Sequence, residues 1–88
     1  MISVIIPAHN EEAVIGRCLE ALLRDAPSGA LEVIVVCNGC TDHTADVANT
    51  LGDPVQVIEI PVASKIAALN AGDDAATSFP RCYVDADV

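Results

Sequence analysis

Two stretches of the chain carry residue types that could do chemistry. The first is Cys37-Asn38-Gly39-Cys40-Thr41-Asp42-His43, two thiols three positions apart followed by a carboxylate and an imidazole. The second is Asp85-Ala86-Asp87, two carboxylates at i and i+2. The thiol pair admits three chemistries: a dithiol–disulfide couple, half of a zinc site, or a turn whose thiols are incidental. A redox pair that follows a strand and opens a helix gains from a helix N-terminus that lowers a thiol pKa. Here Asp42 adjoins the second cysteine and acts in the opposite direction, and no aromatic residue precedes the pair. A structural zinc site needs four ligands, commonly from two paired clusters. Cys37, Cys40 and His43 give a C-x2-C-x2-H spacing, but Cys18 and Cys82 stand apart and make no second cluster. Asn38-Gly39 is a turn signal in its own right. The Asp85/Asp87 pair supplies hard oxygen donors, of the kind Mg²⁺ or Mn²⁺ takes when phosphates fill the open positions.

The charge balance favours such a cation. The formal charge is −9, from 13 acidic and 4 basic residues, the latter being Arg17, Arg24, Lys65 and Arg81. A surface that tracks nucleic-acid phosphates needs clustered Lys and Arg, so no nucleic-acid partner is expected. A polyphosphate ligand would find little side-chain counter-charge, which makes a divalent metal its natural companion. There is no G-x-G-x-x-G after the first strand, no P-loop motif and no serine nucleophile elbow. Dinucleotide, P-loop and serine-hydrolase chemistries are disfavoured accordingly. His9 is a candidate for catalysis, but a lone histidine in a loop is more often a hydrogen-bonding or surface residue. Lys65 opens a predicted helix, where the helix dipole disfavours a cation; an anionic neighbour would explain it.

No apolar run approaches the roughly 20 residues needed to span a bilayer. No basic region precedes an apolar stretch at the N-terminus, so no signal peptide is expected. The four cysteines are irregularly spaced. A reducing, cytoplasmic setting with free thiols follows as the expectation.

The elements that must position these residues alternate. Ser3–Pro7 and Leu31–Cys37 are continuous apolar runs, as in strands covered on both faces. Between them Val14, Ile15, Cys18, Leu19, Leu22 and Leu23 make one helical stripe over Glu12–Arg24. Asn10 is its expected cap, with Glu11 and Glu12 in the first turn. Thr41 or Asp42 is expected to cap a short helix through Leu51, stopped by Gly52 and Pro54. Val55–Ile60 is a third strand, Ser64 caps a third helix over Lys65 to about Ala76, and Arg81–Val88 is a fourth strand running into the aspartates. The order βαβαβαβ predicts an α/β fold with a Rossmann-like parallel sheet. Ligands of open α/β sheets bind at the carboxyl ends of the strands, and here the polar residues gather at those ends. With 88 residues, 52% of them hydrophobic, the chain forms one small domain expected to pack against further protein.

Four motifs in order now resemble one family. "SVIIPAHNEEAVIGRCLEALL", "EVIVVCNGCTDHTADVA", "SKIAALNAG" and "YVDADV" resemble the nucleotide-binding half of the family 2 glycosyltransferases, of the GT-A fold, over nearly the whole chain. Members typically read "PAYNEE", "VVDDGSTDGT", "GKAxALNxG" and "DADV". Cys37 and Asn38 stand where the family has two aspartates, and Cys40 where it has serine. His9 replaces a common Tyr, and Ser64 and His43 replace Gly. The resemblance implies that residues 1–88 are the nucleotide-sugar-binding portion of a longer GT-A domain, ending just after the DxD motif. It implies a nucleotide pocket lined by Pro7, Ala8 and Glu11, with Asn38 and Asp42 shaping the base-side loop and Lys65 near the nucleotide or its phosphates. Asp85 would face the ribose or the metal, and Asp87 would hold Mn²⁺ or Mg²⁺ against the diphosphate. The implied reaction is inverting transfer of a sugar from a nucleoside-diphosphate sugar to an acceptor hydroxyl. Its general base is expected beyond residue 88, which leaves the fragment inactive alone. The acceptor is unassigned, and membrane attachment of a longer protein stays open. An unpaired edge at the fourth strand is expected to promote self-association. A thiol–disulfide or metal-binding module and a non-catalytic interaction fragment are the alternatives.

Overall fold

In a computed structural model that describes residues 1–86, the chain alternates strand and helix throughout. The elements are β1 (Ile2–Ala8), α1 (Ile15–Leu23), β2 (Leu31–Asn38), α2 (Thr44–Asn49), β3 (Val55–Ile60), α3 (Lys65–Ala75) and β4 (Arg81–Tyr83). The strands form one parallel sheet in the order β3-β2-β1-β4. The apolar runs of β1 and β2 occupy its centre, where both faces are covered, which is why they are continuous rather than alternating.

Side-chain alternation along β1 and β2 divides the core in two. Val4, Ile6, Ala8, Val33, Val35 and Cys37 pack with Ile15 and Leu19 of α1 and Ala45 and Ala48 of α2. Ile34 and Val36 face the other way and pack with Ala68 of α3. The small residues of α3 let it lie close to the sheet: a Cβ added at Gly72 would stand 2.4 Å from Ile5 Cγ2. Ser64 caps α3 as its sequence implies, its Oγ accepting from Ala67 N at 3.1 Å.

Two helix starts differ from expectation. α1 begins at Ile15 rather than Glu12, and no side chain caps it. Asn10 instead sits at φ 52°, and its Oδ1 accepts from Thr41 N at 2.8 Å. Its amide is committed to the neighbouring loop and cannot serve the helix. α2 begins at Thr44 with His43 at its N-cap position, and the Asp42 carboxylate just before it accepts from Thr44 N, as a capping side chain does. The fourth strand is confined to Arg81–Tyr83 within the described residues; Asp87 and Val88 lie outside them.

Candidate active site

The in-phase register sets Ala8 beside Cys37 and Asn38 beside Ile60, so the loops after β1, β2 and β3 rise from one edge of the sheet. A cleft of about 250 Å³ opens there, lined by Pro7, His9, Glu11, Asn38, Lys65, Asp85 and Ala86. Of the residues expected to bind nucleotide, Pro7, Glu11, Asn38, Lys65 and Asp85 therefore converge from four segments of the chain.

Face alternation explains which loop residue reaches the cleft. Cys37 points into the core with α1 and α2 and is 1% exposed. Asn38, one residue on, takes the α3 side, and its Nδ2 donates to Ala8 O at 3.1 Å. That bond turns the amide donor toward β1 and fixes the side chain. His9 Nδ1 lies 2.7 Å from Asn38 O. A carbonyl oxygen only accepts, so His9 carries a proton on Nδ1, and Nε2 of the neutral ring is an acceptor. Lys65 Nζ lies 2.6 Å from Asp85 Oδ1. That is the anionic neighbour which its place in the first turn of α3 requires.

Ala8 and Asp42 serve the cleft without lining it. The Ala8 side chain is buried in the core, and only its carbonyl takes part, accepting from Asn38 Nδ2 and, at 3.4 Å, from the Cys40 thiol. Asp42 braces two loops. Its Oδ1 accepts from Thr44 N at 3.0 Å and from the Thr44 hydroxyl, and its Oδ2 from Glu12 N at 3.3 Å. The buried Thr44 hydroxyl in turn accepts from Glu11 N at 2.8 Å. The Thr44 hydroxyl, helped by the backbone N–H groups, holds the Asp42 carboxyl below its ordinary range. His9 hydrogen-bonds, as expected of a lone loop histidine, whereas sequence reasoning missed Thr44. Thr44 could have been found as the hydroxyl two residues after a loop carboxylate, a spacing at which both can share one turn.

Both thiols of the pair are free, and Cys37 is buried. Burial, then the neighbouring Cys40 thiol, pushes Cys37 up to about 12, far from the thiolate that attacks a disulfide. His43 is exposed and pairs with Asp46 at 3.2 Å, away from buried Cys37. Among the described residues, no three His, Cys, Asp or Glu side chains gather as a metal cluster. Asp87, the expected metal ligand, lies outside those residues.

A family model described as Glycosyl transferase family 2 matches residues 3–88. The chain belongs to that family. A probable glycosyltransferase of Bacillus subtilis, YdaM, is 35% identical over 98% of the chain. A PGL/p-HBAD biosynthesis glycosyltransferase of Mycobacterium bovis is 34% identical over 99% of it. The chain spans only 22% and 35% of the lengths of these two family members. Among solved structures, S. aureus TarS 1-349 in complex with UDP superposes with a TM-score of 0.90 at 26% identity. It aligns over 98% of this chain and 27% of its own. The mannosyltransferase PcManGT of Pyrobaculum calidifontis, in complex with GDP-Man and Mn²⁺, superposes with a TM-score of 0.88 at 30% identity, over 98% of this chain and 27% of its own. The Rossmann-like fold is that of GT-A glycosyltransferases.

No helix among the described residues is long and apolar enough to cross a membrane.

Proposed function

We propose that residues 1–88 are the donor-binding part of an inverting glycosyltransferase that uses a nucleoside-diphosphate sugar. The observation that carries this is the convergence of Pro7, Glu11, Asn38, Lys65 and Asp85 on one cleft at the carboxyl edge of the sheet. Structural relatives in complex with UDP, with UDP-GlcNAc and with GDP-Man and Mn²⁺ support it. On this proposal Asn38 meets the base, Glu11 and Asp85 approach the ribose and diphosphate, and Lys65 contacts a phosphate. The amide of Asn38, pinned by Ala8 O, is fixed before any ligand arrives, which lowers the ordering cost of binding.

The donor set fits a hard divalent cation. Among the described residues the cleft carries the Asp85 and Glu11 carboxylates and no thiol. Phosphate oxygens would complete the shell around an ion held there, as Mg²⁺ and Mn²⁺ sites on nucleotides are built. Asp85 and Asp87 would hold the ion. Bound there, the ion would stabilise negative charge on the departing nucleoside diphosphate. The acceptor hydroxyl would attack the anomeric carbon from the opposite face, with a general base supplied from outside residues 1–88. These residues alone would then bind donor without transferring it. The outer edge of β4, with Tyr83 55% exposed and Phe79 of the preceding connection 75% exposed, is part of the same proposal as a site of self-association. A clean monomer by solution mass would remove that part.

The test is a titration with UDP, GDP, TDP and CDP, each with Mn²⁺ and again with EDTA, read by thermal shift. One diphosphate should stabilise the protein in a metal-dependent way, by about 2.7 kcal/mol at a hundredfold excess over Kd. Asp87→Ala should abolish that response. No response to any of the four would overturn the proposal for this chain.

A further inference from the structure

Lys65 and Asp85 reach the cleft from different elements, the first opening α3 and the second following β4. Twenty residues separate them, yet the ammonium and carboxylate meet at 2.6 Å. The two side chains are 61% and 48% exposed, and an ion pair so open to water contributes little to stability. Helix geometry gives no reason for a cation at the start of α3, where unpaired N–H groups already carry partial positive charge. The pair therefore is weak, close and placed inside a ligand-sized cleft, which are the attributes of a contact made to be exchanged. Among the described residues, Glu11 is the other carboxylate in the lining, and Lys65 is its one cationic side chain, His9 set aside.

We infer that Lys65 is a placeholder cation: it holds Asp85 while the cleft is empty and gives it up to a divalent ion as a diphosphate enters. The ammonium then turns from the carboxylate to the phosphates. This rests on the proposed reading of the cleft as a nucleoside-diphosphate site. Two consequences of opposite sign follow. Without Lys65, a divalent ion alone meets no competitor for Asp85 and binds more tightly. A diphosphate, by contrast, loses its cationic contact and binds more weakly. A side chain with a merely structural role would move both in the same direction.

The experiment titrates MnCl₂ alone into the protein, followed by water-proton relaxation. It then titrates UDP, GDP, TDP and CDP at saturating Mn²⁺, followed by thermal shift. Lys65→Met should tighten MnCl₂ binding roughly two- to fivefold, the range open to an exposed ion pair. It should weaken diphosphate binding by at least a similar factor. Lys65→Arg should restore both towards the wild type. Lys65→Met combined with Asp85→Asn should lose the gain in Mn²⁺ affinity. Arg24→Met, which removes a charge at the end of α1 and away from the cleft, should leave Mn²⁺ affinity unchanged. Unchanged or weaker Mn²⁺ binding in Lys65→Met, with diphosphate binding intact in the wild type, would overturn the exchange alone. The same is true if Arg24→Met reproduces the gain. Tighter Mn²⁺ binding in Lys65→Met with no response to any diphosphate would overturn the nucleotide reading, and the exchange with it.

Discussion

The two edges of the sheet use one device for different ends. At the carboxyl edge Asp42 ties the β1–α1 loop to the β2–α2 loop through Thr44 and Glu12. At the amino edge Glu32 ties the α3–β4 connection to β1. Its Oε1 accepts from Ser3 Oγ and Thr77 N, both at 2.8 Å, and its Oε2 from Thr77 Oγ1 at 2.9 Å. Each carboxyl is held below its usual range, Asp42 chiefly by the Thr44 hydroxyl and Glu32 chiefly by the Thr77 backbone N–H. The difference lies in what surrounds the brace. The Glu32 network is closed on itself, Ser3 Oγ also accepting from Ser78 N at 3.1 Å. The nearby groove of about 320 Å³, lined by Leu23, Pro27, Leu31 and Pro54 among others, carries Asp53 as its one ionisable side chain. The Asp42 brace stands beside a cleft that, among the described residues, carries the Glu11 and Asp85 carboxylates, an ammonium, an imidazole and an amide. A hydrogen-bonded carboxylate therefore marks rigidity at both edges, and only the polar lining next to it marks a site.

The largest break in this comparison should come from a pair of glycines with positive φ, one at each edge. A Cβ at Gly39, φ +60°, would stand 2.8 Å from both Ala63 N and Ala63 Cβ, while one at Gly29, φ +81°, meets nothing within 4 Å. Gly39→Ala should cost about 2–4 kcal/mol, left-handed strain and overpacking combined. It should also weaken diphosphate binding, because Gly39 follows Asn38. Gly29→Ala should cost only the strain, about 1–2 kcal/mol, with binding unchanged. Thermal melts and the diphosphate titration on both variants check this; equal losses would show that the carboxyl-edge loops are no tighter than the amino-edge turn.

Next in size is Thr44→Val, which keeps the shape and removes the hydroxyl between Glu11 N and Asp42. The expected loss is about 1–3 kcal/mol, the cost of leaving polar partners unmatched, with weaker diphosphate binding as the Glu11 loop loosens. Wild-type binding in this variant would show that the loop holds its shape without the brace.

Smallest is Glu32→Gln, expected to cost about 1 kcal/mol and to leave ligand binding untouched. Its signature is in acid. The folded-state pKa of Glu32 lies below its ordinary value of 4.5, so the unfolded chain binds the proton more readily. The stabilisation is complete above pH 4.5 and is lost as pH falls through the lower folded value. Denaturant midpoints measured from pH 6 down to about pH 3 should fall less steeply in Glu32→Gln than in the wild type. Parallel curves would remove Glu32 from the acid response.

Much of the fold was legible because its signals are local. Continuous β-branched runs announce central strands, Ser64 announces the start of α3, and the stripe from Val14 to Leu23 announces a helix with one apolar face. The expected cap of α1 failed for the opposite reason. Asn10 has the chemistry of a cap, but Thr41, 31 residues away in the chain, claims its side chain. No local pattern records such a competition.

What the sequence by itself determined is the alternation of elements, the parallel sheet and the edge on which its polar residues gather, since these depend on periodicity and on residue type near neighbours. Tertiary structure alone decided that Cys37 goes into the core while Asn38 reaches the cleft, because which face of a strand is covered by which helix depends on the packing of α1, α2 and α3. It alone brought Lys65 to Asp85 and the Asn38 carbonyl to His9, pairings set by the spatial order β3-β2-β1-β4, which differs from the order along the chain.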